Sequence, residues 1–343
     1  MINYNKFSNL FFITIFSFAP VSILIGPSIS LILVLIICLY YILLNFKKDF
    51  FHLVNDKTIL ILILLNFYLI FNSLISINFD MGFYRNFGFV RYIFLFLAIN
   101  YFIKVSNNLD KVFQFWTIIL LIVFFDIFYE FLNGQNILGF VSDNPKRIVS
   151  FFKDEQVIGA FLNGFIFIII GFLFQKFEEK KTYEKFFIIF FISFAILSMI
   201  FTGERSNTIK LFFGLAIFFY FNDKIKFKHK VIFVFSFIFS FLIIYNYFLS
   251  TGGKNHIKHR YYNDLVQRMT IKEKRDNYIY FTLYKSGIEV FKLNPIFGVG
   301  NKNYRVESCL KENRKSSNYL CATHPHQIYF EFLSEHGLFG TLI

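Results

Sequence analysis

The sequence predicts an all-α, polytopic integral membrane protein of about ten transmembrane helices, with one long extracytoplasmic loop between the ninth and the tenth. Three observations predict it. Of 343 residues, 56% are hydrophobic and only 17% charged, too little polar surface to cover a soluble core of that size. Apolar runs of about 20 residues, the length that crosses a bilayer, recur along the chain. The lysines between these runs fall on one side.

The runs lie at 7–25, 28–46, 58–77, 86–103, 112–132, 156–175, 186–202, 207–221, 231–250 and 326–343. The first follows Lys6, as the apolar part of a signal peptide would, but it is too long for one and ends without a convincing cleavage site. It therefore reads as an uncleaved anchor. With a cytoplasmic N-terminus, thirteen lysines lie in inner loops: Lys47, Lys48, Lys57, Lys104, Lys111, Lys176, Lys180, Lys181, Lys185, Lys224, Lys226, Lys228 and Lys230. The short outer loops hold Arg85, Lys146, Arg147, Lys153 and Arg205, so the positive-inside rule selects this orientation.

All nine arginines (85, 91, 147, 205, 260, 268, 275, 305 and 314) lie in outer loops, in the long outer segment or in the outer part of a span. A guanidinium grips a phosphate through two parallel hydrogen bonds, which a lysine does not. Codon chance with a solvated loop is one account of the asymmetry; an anionic, phosphorylated ligand at the outer face is the other. The net charge of +13 divides between orientation and anionic headgroups. No basic stripe is interleaved with exposed aromatics, so nucleic acid is not an expected partner.

The chain divides into a membrane domain of nine helices at 1–250, a polar loop at 251–325 and a tenth transmembrane helix at 326–343. Within the loop, Ile279, Leu283, Ile288, Val290 and Phe291 suit an amphipathic helix lying along the membrane surface. Asn294-Pro295 ends it, and Gly298-Val299-Gly300 opens a turn-rich stretch. Cys38 reads as a packing residue. Cys309 and Cys321 are a disulfide candidate if their compartment is oxidising, and two free thiols otherwise.

The densest constellation is Cys321-Ala322-Thr323-His324-Pro325-His326-Gln327, followed after nine residues by Gly337-Leu338-Phe339-Gly340. His326, Phe330, Leu333 and Gly337 share a stripe if the helix begins at His326, and the two glycines would admit a neighbouring helix. A histidine at the outer end of a span is either a base working near neutral pH or an idle interfacial residue. His324 and His326 lack the further ligands of a zinc set, so no metal is expected. Arg205, in the turn Thr202-Gly203-Glu204-Arg205, needs a counter-charge at membrane depth: Glu204 or a bound anion. Arg147 leads into the sixth span and is either an anion ligand or part of a solvated loop. Arg85 and Arg91, six apart, share no helical face and read as snorkelling cations.

These residues, in this order on a many-span scaffold, resemble the O-antigen ligase and polymerase superfamily of bacterial envelope glycosyltransferases. The ligase signature is a His followed by Asn, Ser or Gln, nine residues, and Gly-x-x-Gly; His326, Gln327, Gly337 and Gly340 satisfy it. Asn294 to Gly300, and Arg147 to Gly159, are similar to further family segments, and Arg205 sits where the family carries an essential arginine. The family's second loop arginine corresponds to Arg268 or Arg275. Members usually continue for about two more spans, so the resemblance implies that the C-terminal spans are missing here.

The resemblance implies a GT-C-like fold and an enzyme of the bacterial inner membrane, with its active face in the periplasm. The donor it implies is a glycan on undecaprenyl diphosphate, and the acceptor is lipid A core, another glycan or a protein hydroxyl. His326 and Arg205 would be catalytic, with Arg147 and Arg275 or Arg268 on the diphosphate. His324, Gln327, Gly337 and Gly340 would support them, with no metal or cofactor. An O-antigen ligase is the first expectation, and a polymerase or a protein O-oligosaccharyltransferase is the alternative. A non-catalytic carrier of lipid-linked sugars is the competing class; it would show buried mid-span charges, for which Asp126 and Glu130 are the nearest candidates.

Overall fold

The computed structural model describes residues 6–45, 56–106, 108–144, 147–153, 155–176, 181–222, 279–313 and 318–343. The expected ninth span at 231–250, Arg268 and Arg275 lie outside the described residues. Among those described there are thirteen α-helices, one 3-10 turn and no strand. The helices are α1 (Lys6–Ser17), α2 (Ala19–Ile25), α3 (Pro27–Asn45), α4 (Lys57–Leu74), α5 (Phe79–Phe87), α6 (Val90–Val105) and α7 (Leu109–Asn133). They continue with α8 (Ile158–Lys176), α9 (Thr182–Phe201), α10 (Arg205–Phe221), α11 (Ile279–Leu293), α12 (Tyr304–Ser308) and α13 (Ile328–Leu342).

Among the described residues, six stretches are long and apolar enough to cross a bilayer: α3, α4, α5 with α6, α7, α8 and α9. The chain is an all-α polytopic membrane protein. Two expected spans differ in form. The first is two helices, broken at Phe18 because Pro20, in the first turn of α2, has no N–H to give the carbonyl of Phe16. That carbonyl instead accepts from Trp116 Nε1 at 2.8 Å. The tenth begins at Ile328, and its helical path is interrupted at Gly337 (φ 64°, ψ −166°).

The chain forms two compact units. In the first, residues 1–33 and 105–268, α7 packs on α1, α8 and α9, while α8 also meets α9 and α10. Because lipid tails are as apolar as leucine, close packing holds such helices together. Helix α8 is central to this unit, with 61% of its span buried. Stacked rings fasten α7 to α9, with Phe128 on Phe194 at 4.7 Å and Phe131 on Phe201 at 4.2 Å.

In the second unit, residues 34–104 and 269–343, α4 packs on α5 and α11 packs on α13. Helix α11 is amphipathic as expected, but its stripe is divided. Leu283 and Val290 are buried and Ile279 and Ile288 exposed, so the first pair serves the protein core rather than the membrane surface.

Candidate functional site

The histidine element belongs to the second unit. His326 lies before α13 rather than on it, with φ +58°, so the expected stripe from His326 to Gly337 does not form. Gln327 is the N-cap residue: its side-chain oxygen accepts the Phe330 N–H at 3.0 Å, satisfying a donor that has no partner within the helix. The His326 ring is exposed at the surface, with Tyr280 edge-on at 5.6 Å and the His324 ring at 4.1 Å between centroids. Thr323 Oγ1 and His324 Nδ1 are 2.9 Å apart. Burial of part of the ring, then the neighbouring His324, hold the His326 pKa below 6.5, against the opposing pull of Glu331. The imidazole is therefore kept neutral, the form that accepts a proton.

Three features hold this loop. Gly287 of α11 lets Pro325 and Phe330 approach; a Cβ there would meet their Cβ atoms at 3.3 and 3.1 Å. Tyr304, fully buried, donates to Ser286 Oγ at 2.9 Å and packs in a cluster with Val290 and Val299. Cys309 and Cys321 are joined by a disulfide, which fixes the strand that leads into His324.

The Gly-x-x-Gly element is a clasp of backbone on backbone. Segment 295–300 lies against 334–339: Val299 and Gly300 donate to the carbonyls of Ser334 and Glu335 at 2.9 and 3.0 Å, and Leu338 and Phe339 donate to those of Pro295 and Ile296 at 2.9 and 3.0 Å. Gly337 and Gly298 (φ +72°) are at the crossing, where a Cβ on either would overlap the other segment's backbone. Gly340 faces the Tyr68 hydroxyl, which donates to the His336 carbonyl at 2.9 Å. Gly337 thus admits a non-helical segment, whereas Gly340 admits Tyr68 of the neighbouring helix α4.

The first unit carries Arg147 and Arg205, whereas Arg85, Arg91 and Arg305 belong to the second. Arg147 and Arg205 come from different loops that are hydrogen-bonded to each other: the Ile148 N–H donates to the Thr202 carbonyl at 3.2 Å. Glu204 accepts from the Gly159 N–H at 2.8 Å and from Asn207 Nδ2 at 2.5 Å, so it braces the start of α8 and of α10 together. Gly159 is required at this contact, since a Cβ would sit 2.8 Å from Glu204 Oε2. Arg147 Nε is buried without a hydrogen-bond partner.

Sequence reasoning missed several buried polar groups. Glu335 and His336 are 2% and 8% exposed, and Glu335 Oε1 and His336 Nδ1 lack hydrogen-bond partners. Their signal was two ionisable residues directly before a glycine inside an apolar run. Asn72 is fully buried and holds three backbone groups of the clasp: it donates to Phe297 and Glu335 carbonyls at 2.9 and 3.2 Å and accepts from Asn301 N–H at 3.0 Å. An asparagine within an apolar helix was its only signal.

Residues 187–343 match the family model described as Wzy_C, O-Antigen ligase. That stretch includes Arg205, His324, His326, Gln327, Gly337 and Gly340, and over it the chain is similar to that family. No curated protein and no solved structure matches the chain.

Proposed function

We propose that this protein belongs to the O-antigen ligase family and transfers a glycan from undecaprenyl diphosphate to an acceptor hydroxyl at the periplasmic face of the inner membrane. The observation that carries the reading is an exposed His326 on a braced loop of the matched stretch, its pKa lowered by partial burial and by His324. The imidazole takes the proton of the acceptor hydroxyl, whose oxygen attacks the anomeric carbon. The bond from that carbon to the diphosphate oxygen breaks, and undecaprenyl diphosphate leaves with the bonding pair. Arg205 and Arg147 neutralise the leaving group, aided by Arg275 or Arg268, because planar guanidinium forks match phosphate oxygens. Direct displacement inverts the anomeric centre.

The buried acidic residues of α7 favour transfer over transport. Asp126 and Glu130 are fixed by hydrogen bonds to a loop rather than arranged for a moving ion. The acceptor we assign first is lipid A core, since His326-Gln327 with Gly337 and Gly340 follows the ligase signature. A deletion strain tests this. Lipid-linked polymer accumulating beside uncapped lipopolysaccharide is the ligase result, and single-repeat caps are the polymerase result. His326→Ala, restored to that strain, should insert normally and transfer nothing; full transfer would remove the proposed base.

A further inference from the structure

Two carboxylates one helical turn apart on α7 are almost wholly enclosed, Asp126 at 0% and Glu130 at 4% exposure. An acidic side chain within a span is costly unless its oxygens are satisfied. Here they are satisfied by one loop. Glu130 Oε1 and Oε2 accept the N–H groups of Val149 and Ser150 at 3.1 and 2.6 Å. Asp126 Oδ1 accepts the Ile137 N–H at 2.9 Å, and its Oδ2 accepts the Ser150 hydroxyl at 2.5 Å.

Ser150 is the point where these contacts meet. Its φ of +51° is a left-handed conformation that a serine adopts only when its surroundings hold it there. Its N–H is on Glu130, its hydroxyl is on Asp126, and its carbonyl accepts from Asn136 Nδ2 at 2.9 Å. Arg147 is three residues away. On its own side the Arg147 N–H donates to the Asn144 carbonyl at 2.9 Å, and the next N–H, of Ile148, is on Thr202. The arginine's backbone is thus pinned on both sides, and its Nε is buried without a partner. A pinned donor loses little freedom when an anion arrives.

We infer that Asp126 and Glu130 are positioning residues: they clamp Ile137, Val149 and Ser150 so that Arg147 is held beside the Thr202–Arg205 turn, ready for a diphosphate. This rests on the reading of Arg147 as a diphosphate ligand. Carboxylates suit the task because each offers two acceptor oxygens, and all four meet donors of the loop. An amide in place of Glu130 would turn an NH2 group towards one of the two backbone N–H donors.

The test uses the full chain in nanodiscs, with undecaprenyl diphosphate lacking sugar as the probe, and reads its Kd together with hydrogen exchange of the Val149 and Ser150 amides. Glu130→Gln should speed that exchange and weaken binding about tenfold. Arg147→Ala should weaken binding by a similar factor with exchange unchanged. The double variant should bind no more weakly than Arg147→Ala alone, because the clamp acts through that arginine. Wild-type exchange and Kd in Glu130→Gln, or losses that simply multiply in the double variant, would overturn the clamp while leaving the diphosphate reading intact. A wild-type Kd in Arg147→Ala would overturn that reading and the inference with it. If Glu130→Gln does not accumulate, Ser150→Ala, which removes only the hydroxyl on Asp126, should weaken binding about threefold; an unchanged Kd there would overturn the clamp.

Discussion

Replacing Gly337 with alanine should open the clasp between segments 295–300 and 334–339. Its backbone, φ 64° and ψ −166°, is in a region open essentially to glycine alone, and placing another residue there costs about 1–3 kcal/mol. A Cβ would also meet the Ile296 carbonyl group and lie 2.6 Å from the Gly298 nitrogen, so the segments must part. Parting removes at least the two nearest hydrogen bonds, Leu338 to Pro295 and Phe339 to Ile296, each contributing about 1 kcal/mol net. The sum is about 3–5 kcal/mol, on the order of 10 °C in Tm. Cys38 supplies the assay, because it is a free, buried thiol that reacts with a fluorogenic maleimide only as the protein unfolds. Gly171→Ala in α8, where a Cβ meets nothing within 4 Å, is the control and should be neutral or slightly stabilising. A Tm for Gly337→Ala within about 2 °C of the wild type, with full glycan transfer, would refute the argument.

Transfer should depend on pH through His326. The base acts in its neutral form and its pKa is lowered from that of an ordinary histidine, so the rate should fall on the acid side, with the acid limb at lower pH than a free imidazole would give. His324→Gln removes a neighbouring positive charge and should move that acid limb upwards, whereas Glu331→Gln should move it downwards; pH–rate profiles of the three proteins check both signs. Arg205→Lys should lose most transfer activity despite its retained charge, because the ammonium lacks the guanidinium fork; activity near the wild type would remove the proposed grip. Cys321→Ser should lower stability by about 3 kcal/mol, the chain-entropy effect of opening a loop of this length. Reductant should destabilise the wild type to the same extent and leave that variant unchanged.

The spans were legible because bilayer thickness imposes a run length that survives in the bare sequence, as at 112–132 against the observed α7, Leu109–Asn133. The break at Phe18 was less so. Pro20 marked it, but its consequence depended on Trp116, about a hundred residues away, taking the Phe16 carbonyl. At the candidate site, the family resemblance singled out His326 and the two glycines, and the structure places His326 and Gly337 off the helical stripe expected for them. The Gly337-x-x-Gly340 pattern suits a contact with a helix as well as one with a turn, and here it makes both: Gly337 meets the turn at Ile296, and Gly340 meets Tyr68 of α4. The placement of His326 before α13 follows from Gln327 acting as the cap, and glutamine is not among the cap residues that mark a helix start in a bare sequence.

The same distinction bears on why an apolar chain keeps so many enclosed polar side chains. A transmembrane helix satisfies its own backbone, so polar groups at this depth are required only where the chain leaves the helical path. Asn72 bonds the Phe297 and Glu335 carbonyls and the Asn301 N–H, and Asn303 bonds Asn78 through both its N–H and its carbonyl. Glu130 bonds Val149 and Ser150, and Glu204 bonds Gly159. Each serves the backbone at a helix end or in a loop. A carrier needs enclosed polar groups that exchange partners during its cycle. A transferase needs donors and a base already in place, since fixed groups stabilise developing charge without reorganising. Side chains committed to holding irregular backbone answer the second requirement, and that is the physical reason to read these carboxylates and amides as the scaffold of a transfer site.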